Sequence, residues 1–186
     1  MNYAHNDLID IGRKWLMNPY SNGSKDYGHS ACSVILSELC AHTRYGEIPD
    51  ILGFNNNVSR SILIECKISR SDFYADLKKQ HRHPALELGI GSQRWYLAPV
   101  GIIPIDKVPE KWGLLEVANN KIQVIKKCLL QERDFQSEIN MLVSTMRRLN
   151  VLPDDHIGIN KYTQLTGSFS NSKKKATFYI QEEKTK

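Results

Sequence analysis

No stretch of this sequence is both long and uncharged enough to cross a bilayer, which argues against a helical membrane protein. The opening, MNYAHNDLIDIGRKWL, mixes charges into its apolar residues and lacks the unbroken hydrophobic segment of a signal peptide, so secretion by that route is not expected. Cysteine is sparse. Cys32, Cys40, Cys66 and Cys128 show neither the short paired spacing of a zinc site nor the density of a disulfide scaffold. They read as buried, reduced thiols of a cytoplasmic protein. Internal repeats and low-complexity tracts are missing too. What is present is 186 residues, 41% apolar and 24% charged, enough for one domain with a sizeable core, or one domain and a tail. The net charge of +5 suits a polyanionic partner without requiring one.

Periodicity orders the chain. Leu8, Ile11, Trp15 and Leu16 fall at near-helical spacing from Asn6 to about Met17. HSACSVILSELCAHT predicts a second helix, capped by Ser30, with Cys32, Leu36, Leu39 and Thr43 on one stripe and Ile35, Glu38 and His42 on its neighbour. IPDILGF and RSILIECK are β-rich runs separated by NNNVS, and read as neighbouring strands. SRSDFYADLKKQHRH returns to a helical pattern with Ser69 or Ser71 as its cap and Pro84 as its latest end. QRWYLAPV is a further strand, the prolines after it make an irregular connection, and WGLLEV and KIQVIK around ANN predict a hairpin. From Asp134 to Asn150, Phe135, Ile139, Leu142, Met146 and Leu149 form one helical face, read as packing on the sheet, with a homodimer contact as the alternative. The expected organisation is one domain over 1–153 and a polar, loosely held tail over 154–186. This order suits an α/β domain around one mixed sheet.

ILIECK poses the chemical question. Alternation along a strand puts Glu65 and Lys67 on one side and Ile62, Ile64 and Cys66 on the other. If the two runs pair, Asp50 at the start of the first comes across from Glu65, at about 5 Å. Carboxylates that close repel unless they share a proton or a cation. A divalent ion meets that need, because Mg²⁺ takes hard oxygen ligands from one or two carboxylates and completes its shell with water and phosphate. Lys67 beside it is a cation able to orient a water, stabilise hydroxide or neutralise phosphate charge.

Pro49-Asp50 followed by Glu65-Cys66-Lys67, with Glu38 upstream, resembles the motif of the PD-(D/E)XK nuclease superfamily. SRSDFYADLKK, RWYLAP and WGLLEV look like its compact bacterial and phage branch, which includes the MmcB-like DNA-repair endonucleases. The resemblance covers roughly residues 30 to 117. It implies a restriction-endonuclease-like α/β/α core, with a central mixed β-sheet flanked by helices. It also implies a DNA phosphodiesterase using Mg²⁺ or Mn²⁺ and leaving a 5′ phosphate. On that basis Asp50 and Glu65 hold the metal, the Cys66 carbonyl is a further ligand, Glu38 binds directly or through water, and Lys67 helps activate the attacking water.

Arg70, Lys78, Lys79, His81 and Arg82 make the following helix basic, which fits either contacts to the phosphates of duplex or branched DNA or a solvated face. Gln80 could face the site. His81 and His83 lack partners at zinc-ligand spacing, and His29 and His42 read as capping or surface histidines. Trp95, Tyr96 and Trp112 read as core aromatics rather than base-stacking platforms. Lys173, Lys174 and Lys175 are either a non-specific DNA contact or solvated charge.

Overall fold

The β-branched and aromatic runs in the middle of the chain become central strands whose side chains are buried on both faces. The computed structural model describes residues 3–18, 31–56, 59–79, 82 and 88–149. Six strands form one mixed sheet in the order β1 (Cys32–Ser37), β2 (Ile51–Asn55), β3 (Ser61–Cys66), β4 (Gln93–Pro99), β5 (Gly113–Ala118) and β6 (Lys121–Lys126). The pairs β1–β2, β2–β3 and β5–β6 are antiparallel, whereas β3–β4 and β4–β5 are parallel. Among the described residues three α-helices flank the sheet: α1 (His5–Met17), α2 (Arg70–Leu77) and α3 (Phe135–Arg148). The architecture is therefore α/β, as expected.

The two faces of the sheet carry separate cores. Helix α1 lays Leu8, Trp15 and Leu16 on Ile51, Ile62, Ile64 and Cys66, with Trp15 edge-on to Trp95 at 5.9 Å. Gly12 permits this approach, since a Cβ there would meet Ile51 Cδ1 at 2.5 Å. On the opposite face Leu52, Leu63, Phe73 of α2, Tyr96, Leu114 and Met141 of α3 pack together. The alternation read in ILIECK holds, because Ile62, Ile64 and Cys66 lie in the α1 core while Leu63 lies in the other. Ser69 caps α2 by accepting a hydrogen bond from the Asp72 N–H at 3.2 Å. The expected terminal hairpin is β5–β6, turned by Asn119 and Asn120, both at positive φ (50° and 59°), as a tight primed turn requires.

Two expected elements differ. HSACSVILSELCAHT does not carry a helix over its described part: Cys32–Ser37 is an edge strand paired with β2, which supplies the backbone partners that a local helix would otherwise have to provide. Glu38 follows that strand at φ 49° and lies on no helix. The α3 helix forms where expected, but of its apolar stripe Leu142 packs against the core on the sheet and most of the rest does not. Phe135, Ile139 and Met146 are half or more exposed, while Ser137, Glu138 and Met141 are buried. The reason is polar: the Glu138 carboxylate accepts the Ser61 hydroxyl at 2.6 Å and the Gly91 N–H at 2.9 Å, and pairs with Arg133 at 3.3 Å. Those bonds set the rotation of the helix. Cysteines 32 and 66 are buried thiols as expected, whereas Cys40 is exposed and Cys128 half-buried. Among the described residues no helix is long and apolar enough to cross a membrane. The tail over 154–186, with Lys173 to Lys175, and the positions of His29, Ser30, Gln80, His81 and His83 lie outside the described residues.

Candidate active site

The register of β2 and β3 pairs Ile51 with Ile64, so Asp50 and Glu65 stand one step further along, opposite each other at the strand ends. Lys67 follows β3 directly, and its N–H continues the parallel ladder by donating to the Leu97 carbonyl at 2.9 Å. Two residues of alternation then aim the Lys67 and Glu65 side chains the same way. Lys67 Nζ lies 3.1 Å from Glu65 Oε2, 3.3 Å from Asp76 Oδ1 and 4.0 Å from Asp50 Oδ2. Asp50 Oδ2 also accepts the Cys66 N–H at 2.7 Å, which fastens the carboxylate to the neighbouring strand.

A second cation completes the cluster. Arg82 places its guanidinium 2.9 Å from Glu65 Oε1 and 2.9 Å from Asp76 Oδ2, pairs with Glu47, and stacks over Trp112 with its Cζ 4.6 Å from the ring centroid. Trp112 in turn stacks on Tyr96, whose hydroxyl donates to Asp76 Oδ2 at 2.9 Å. Lys79 Nζ reaches Asp76 Oδ1 at 2.8 Å from a half-exposed position. Asp76 is thus the hub of the cluster. It lies on the same face of α2 as the core residue Phe73, three places earlier, and is 1% exposed.

The charges set the titration. Burial pushes the Glu65 carboxyl up to about 7, with Asp50 and Asp76 adding to the shift and Arg82 and Lys67 opposing it. Burial would also raise Asp76, but Arg82, Lys67 and the hydrogen bonds from Lys79 and Arg82 outweigh it and hold that group well below the usual carboxylate range. For Lys67 burial favours the neutral amine, yet Glu65, Asp76 and Asp50 together raise its pKa, so it stays an ammonium. A lysine held in this state donates hydrogen bonds and screens charge; it does not abstract protons. The Cys66 thiol is pushed well above its ordinary value, by burial first and then by Asp50 and Glu65, and lies in the α1 core away from the cluster.

The mouth of the cluster is formed by Asp50, Glu38 and His5. Glu38 is brought there by its backbone, whose N–H lies 3.2 Å from the Pro49 carbonyl and 3.1 Å from that of Asp50. His5 Nε2, at the start of α1, stands 3.5 Å from Asp50 Oδ1 and 3.9 Å from Glu38 Oε1. Asp50 is 18% and Glu38 46% exposed by side chain, whereas Glu65 and Lys67 are nearly closed off. Asp50 and Glu38 are thus the carboxylates of the cluster that solvent reaches, and carboxylate oxygens are the hard donors a divalent cation takes. Glu65 fits less directly, because Lys67 and Arg82 already hold its two oxygens. Among the described residues no three His, Cys, Asp or Glu side chains are arranged closely enough to enclose an ion by themselves.

The expected phosphate contacts divide. Lys78 is exposed at the end of α2, and Arg70 is exposed with hydrogen bonds to the Ile102 and Gly101 carbonyls. Lys79 is half-exposed but tied to Asp76. The Arg82 side chain is 2% exposed, so it belongs to the buried cluster and not to a phosphate-contacting face: carboxylates from β3, from α2 and from the segment that precedes β2 draw it inward. Trp95, Tyr96 and Trp112 are buried, in line with the core reading, and His42 is exposed. Sequence reasoning missed His5, Glu47 and Asp76. Asp76 left a faint signal, an acid one helical turn beyond the core residue Phe73, while His5 and Glu47 left none.

No family model matches the chain, and no curated protein matches it. Among solved structures, a protein of unknown function from Silicibacter pomeroyi is similar at 25% identity and a TM-score of 0.46, over 69% of this chain and 85% of that one.

Proposed function

We propose that the protein is a metal-dependent nuclease that hydrolyses DNA phosphodiester bonds in the cytoplasm, as a DNA-repair, recombination or mobile-element DNA-processing enzyme of the PD-(D/E)XK type. One observation carries the reading: Asp50, Glu65 and Lys67 converge on one face at the ends of adjacent strands, with Asp50 partly and Glu38 largely exposed to solvent. Asp50 and Glu38 would hold Mg²⁺ or Mn²⁺, which would supply Lewis-acid activation of water and phosphate when bound. Lys67 holds the Glu65 and Asp50 carboxylates in place and offsets the negative charge that grows on the phosphate at the mouth. Asp76 and Arg82 hold Lys67 and Glu65 in register from behind. Arg70 and Lys78 position the duplex or branched substrate by its backbone, without reading sequence.

A second reading, a nucleic-acid-binding module without turnover, is favoured by the closure of Lys67 and Glu65 inside ion pairs of the chain itself. One experiment separates the two. The purified full chain is assayed on single-stranded, duplex, nicked and branched DNA with Mg²⁺, Mn²⁺ or EDTA, alongside Lys67→Ala and Asp50→Asn. The nuclease reading expects cleavage that EDTA abolishes and Mn²⁺ restores. Lys67→Ala should then lose turnover but keep calorimetric Mn²⁺ binding and DNA affinity, and Asp50→Asn should lose Mn²⁺ binding as well. Full-rate cleavage in EDTA, or by Lys67→Ala, overturns it, and DNA binding with no cleavage favours the module.

A further inference from the structure

Helix α3 turns its polar side inward and leaves Phe135, Ile139, Val143 and Met146 between 48% and 58% exposed. These positions are one turn apart and form a single stripe along the helix. Leu130, which shares a cleft with Phe135, extends it at 61% exposure. The stripe presents on the order of 400 Å² of contiguous apolar surface, the size of the largest patch on a typical monomer, which is often functional.

We propose that this face pairs with the same face of a second copy of the chain, the two α3 helices running antiparallel about a two-fold axis. The stripe is nearly symmetric about its centre. An axis crossing between Ile139 and Val143 sets Ile139 of one copy against Val143 of the other, and Phe135 against Met146, an aromatic–thioether contact at each end. Charge agrees with that direction. Exposed Glu132 precedes the helix and exposed Arg147 continues the stripe one turn beyond Val143, so antiparallel pairing brings Arg147 of each copy beside the Glu132 end of the other's stripe, three residues or ~4.5 Å of helical rise from Glu132 and within reach of a long arginine side chain. It also sets the two helix dipoles side by side and opposed, each N-terminus beside the other's C-terminus. A parallel arrangement would stack like charges at both ends.

Analytical ultracentrifugation of the full chain from about 1 to 100 μM tests this, with circular dichroism on each variant to verify the fold. The wild type should be a dimer in reversible equilibrium. Ile139→Glu and Val143→Glu, at exposed positions, should keep the native spectrum and weaken association by about 30-fold or more. Glu132→Arg and Arg147→Glu should each weaken it by about fivefold, and the double variant should regain the wild-type value. A wild type monomeric throughout the range overturns the proposal and assigns the face to another protein or to residues 150–186. A dimer indifferent to Ile139→Glu places the interface elsewhere and overturns it too. A double variant no tighter than the single ones refutes the antiparallel arrangement.

Discussion

Replacing Asp76 by Asn removes one charge from the most connected residue of the buried cluster without changing its shape. In the native chain its two oxygens take Lys67 at 3.3 Å, Lys79 at 2.8 Å, Arg82 at 2.9 Å and the Tyr96 hydroxyl at 2.9 Å. An Asn side chain presents one oxygen to these four groups and turns an N–H₂ toward the rest. Lys67 and Arg82, whose side chains are 4% and 2% exposed, cannot recover water in exchange. Breaking a buried ion pair from one side costs about 3–5 kcal/mol, and the half-exposed Lys79 adds little. For a unit of this size that corresponds to a fall in Tm of roughly 6–20 °C at pH 7. The pH dependence carries the second half of the argument. The Asp76 pKa is depressed in the folded state, so its contribution is present above the ordinary carboxylate value of about 4 and is lost as pH falls through the folded value. The acid limb of wild-type stability should accordingly be steeper than that of Asp76→Asn. Urea unfolding at a series of pH values between about 2 and 8 measures both effects. A loss of less than about 1 kcal/mol at pH 7, with acid limbs that superimpose, would refute the view that Asp76 holds the cluster together.

Glu65 titrates in the opposite sense. Its folded pKa is raised to about 7 from 4.5, so the folded chain holds that proton more tightly than the unfolded one, and stability falls as pH rises through this window. Glu65→Gln should remove that slope, which is at most about 3 kcal/mol between pH 5 and 8, and equal slopes in the two proteins would show that Glu65 titrates normally. If α2 contacts phosphate, Lys78→Ala should reduce the salt dependence of DNA binding by about one unit of log–log slope in a gel-shift series, and an unchanged slope would move the DNA surface elsewhere.

Local pattern determined much of the molecule. The alternation of ILIECK, the turn residues Asn119 and Asn120, the Ser69 cap and the stripe spacing of α3 each act over a few residues, so they were legible in the sequence and reappear in the structure. The pairing of Asp50 with the end of β3 was legible as well, because register follows from burying one face of a strand against its neighbour. Other features depended on partners distant in the chain. Cys32–Ser37 has helix-like spacing, yet it becomes a strand because β2 offers it an open edge. The orientation of α3 followed from Glu138 reaching Ser61 and Gly91, which overrode the burial of its own apolar stripe. Arg82 reads as one more surface cation until Glu47, Glu65 and Asp76 are brought around it. Propensity and periodicity act between near neighbours, whereas a buried charge is placed by whichever opposite charges the fold brings within a few ångströms, and only tertiary structure decides which those are.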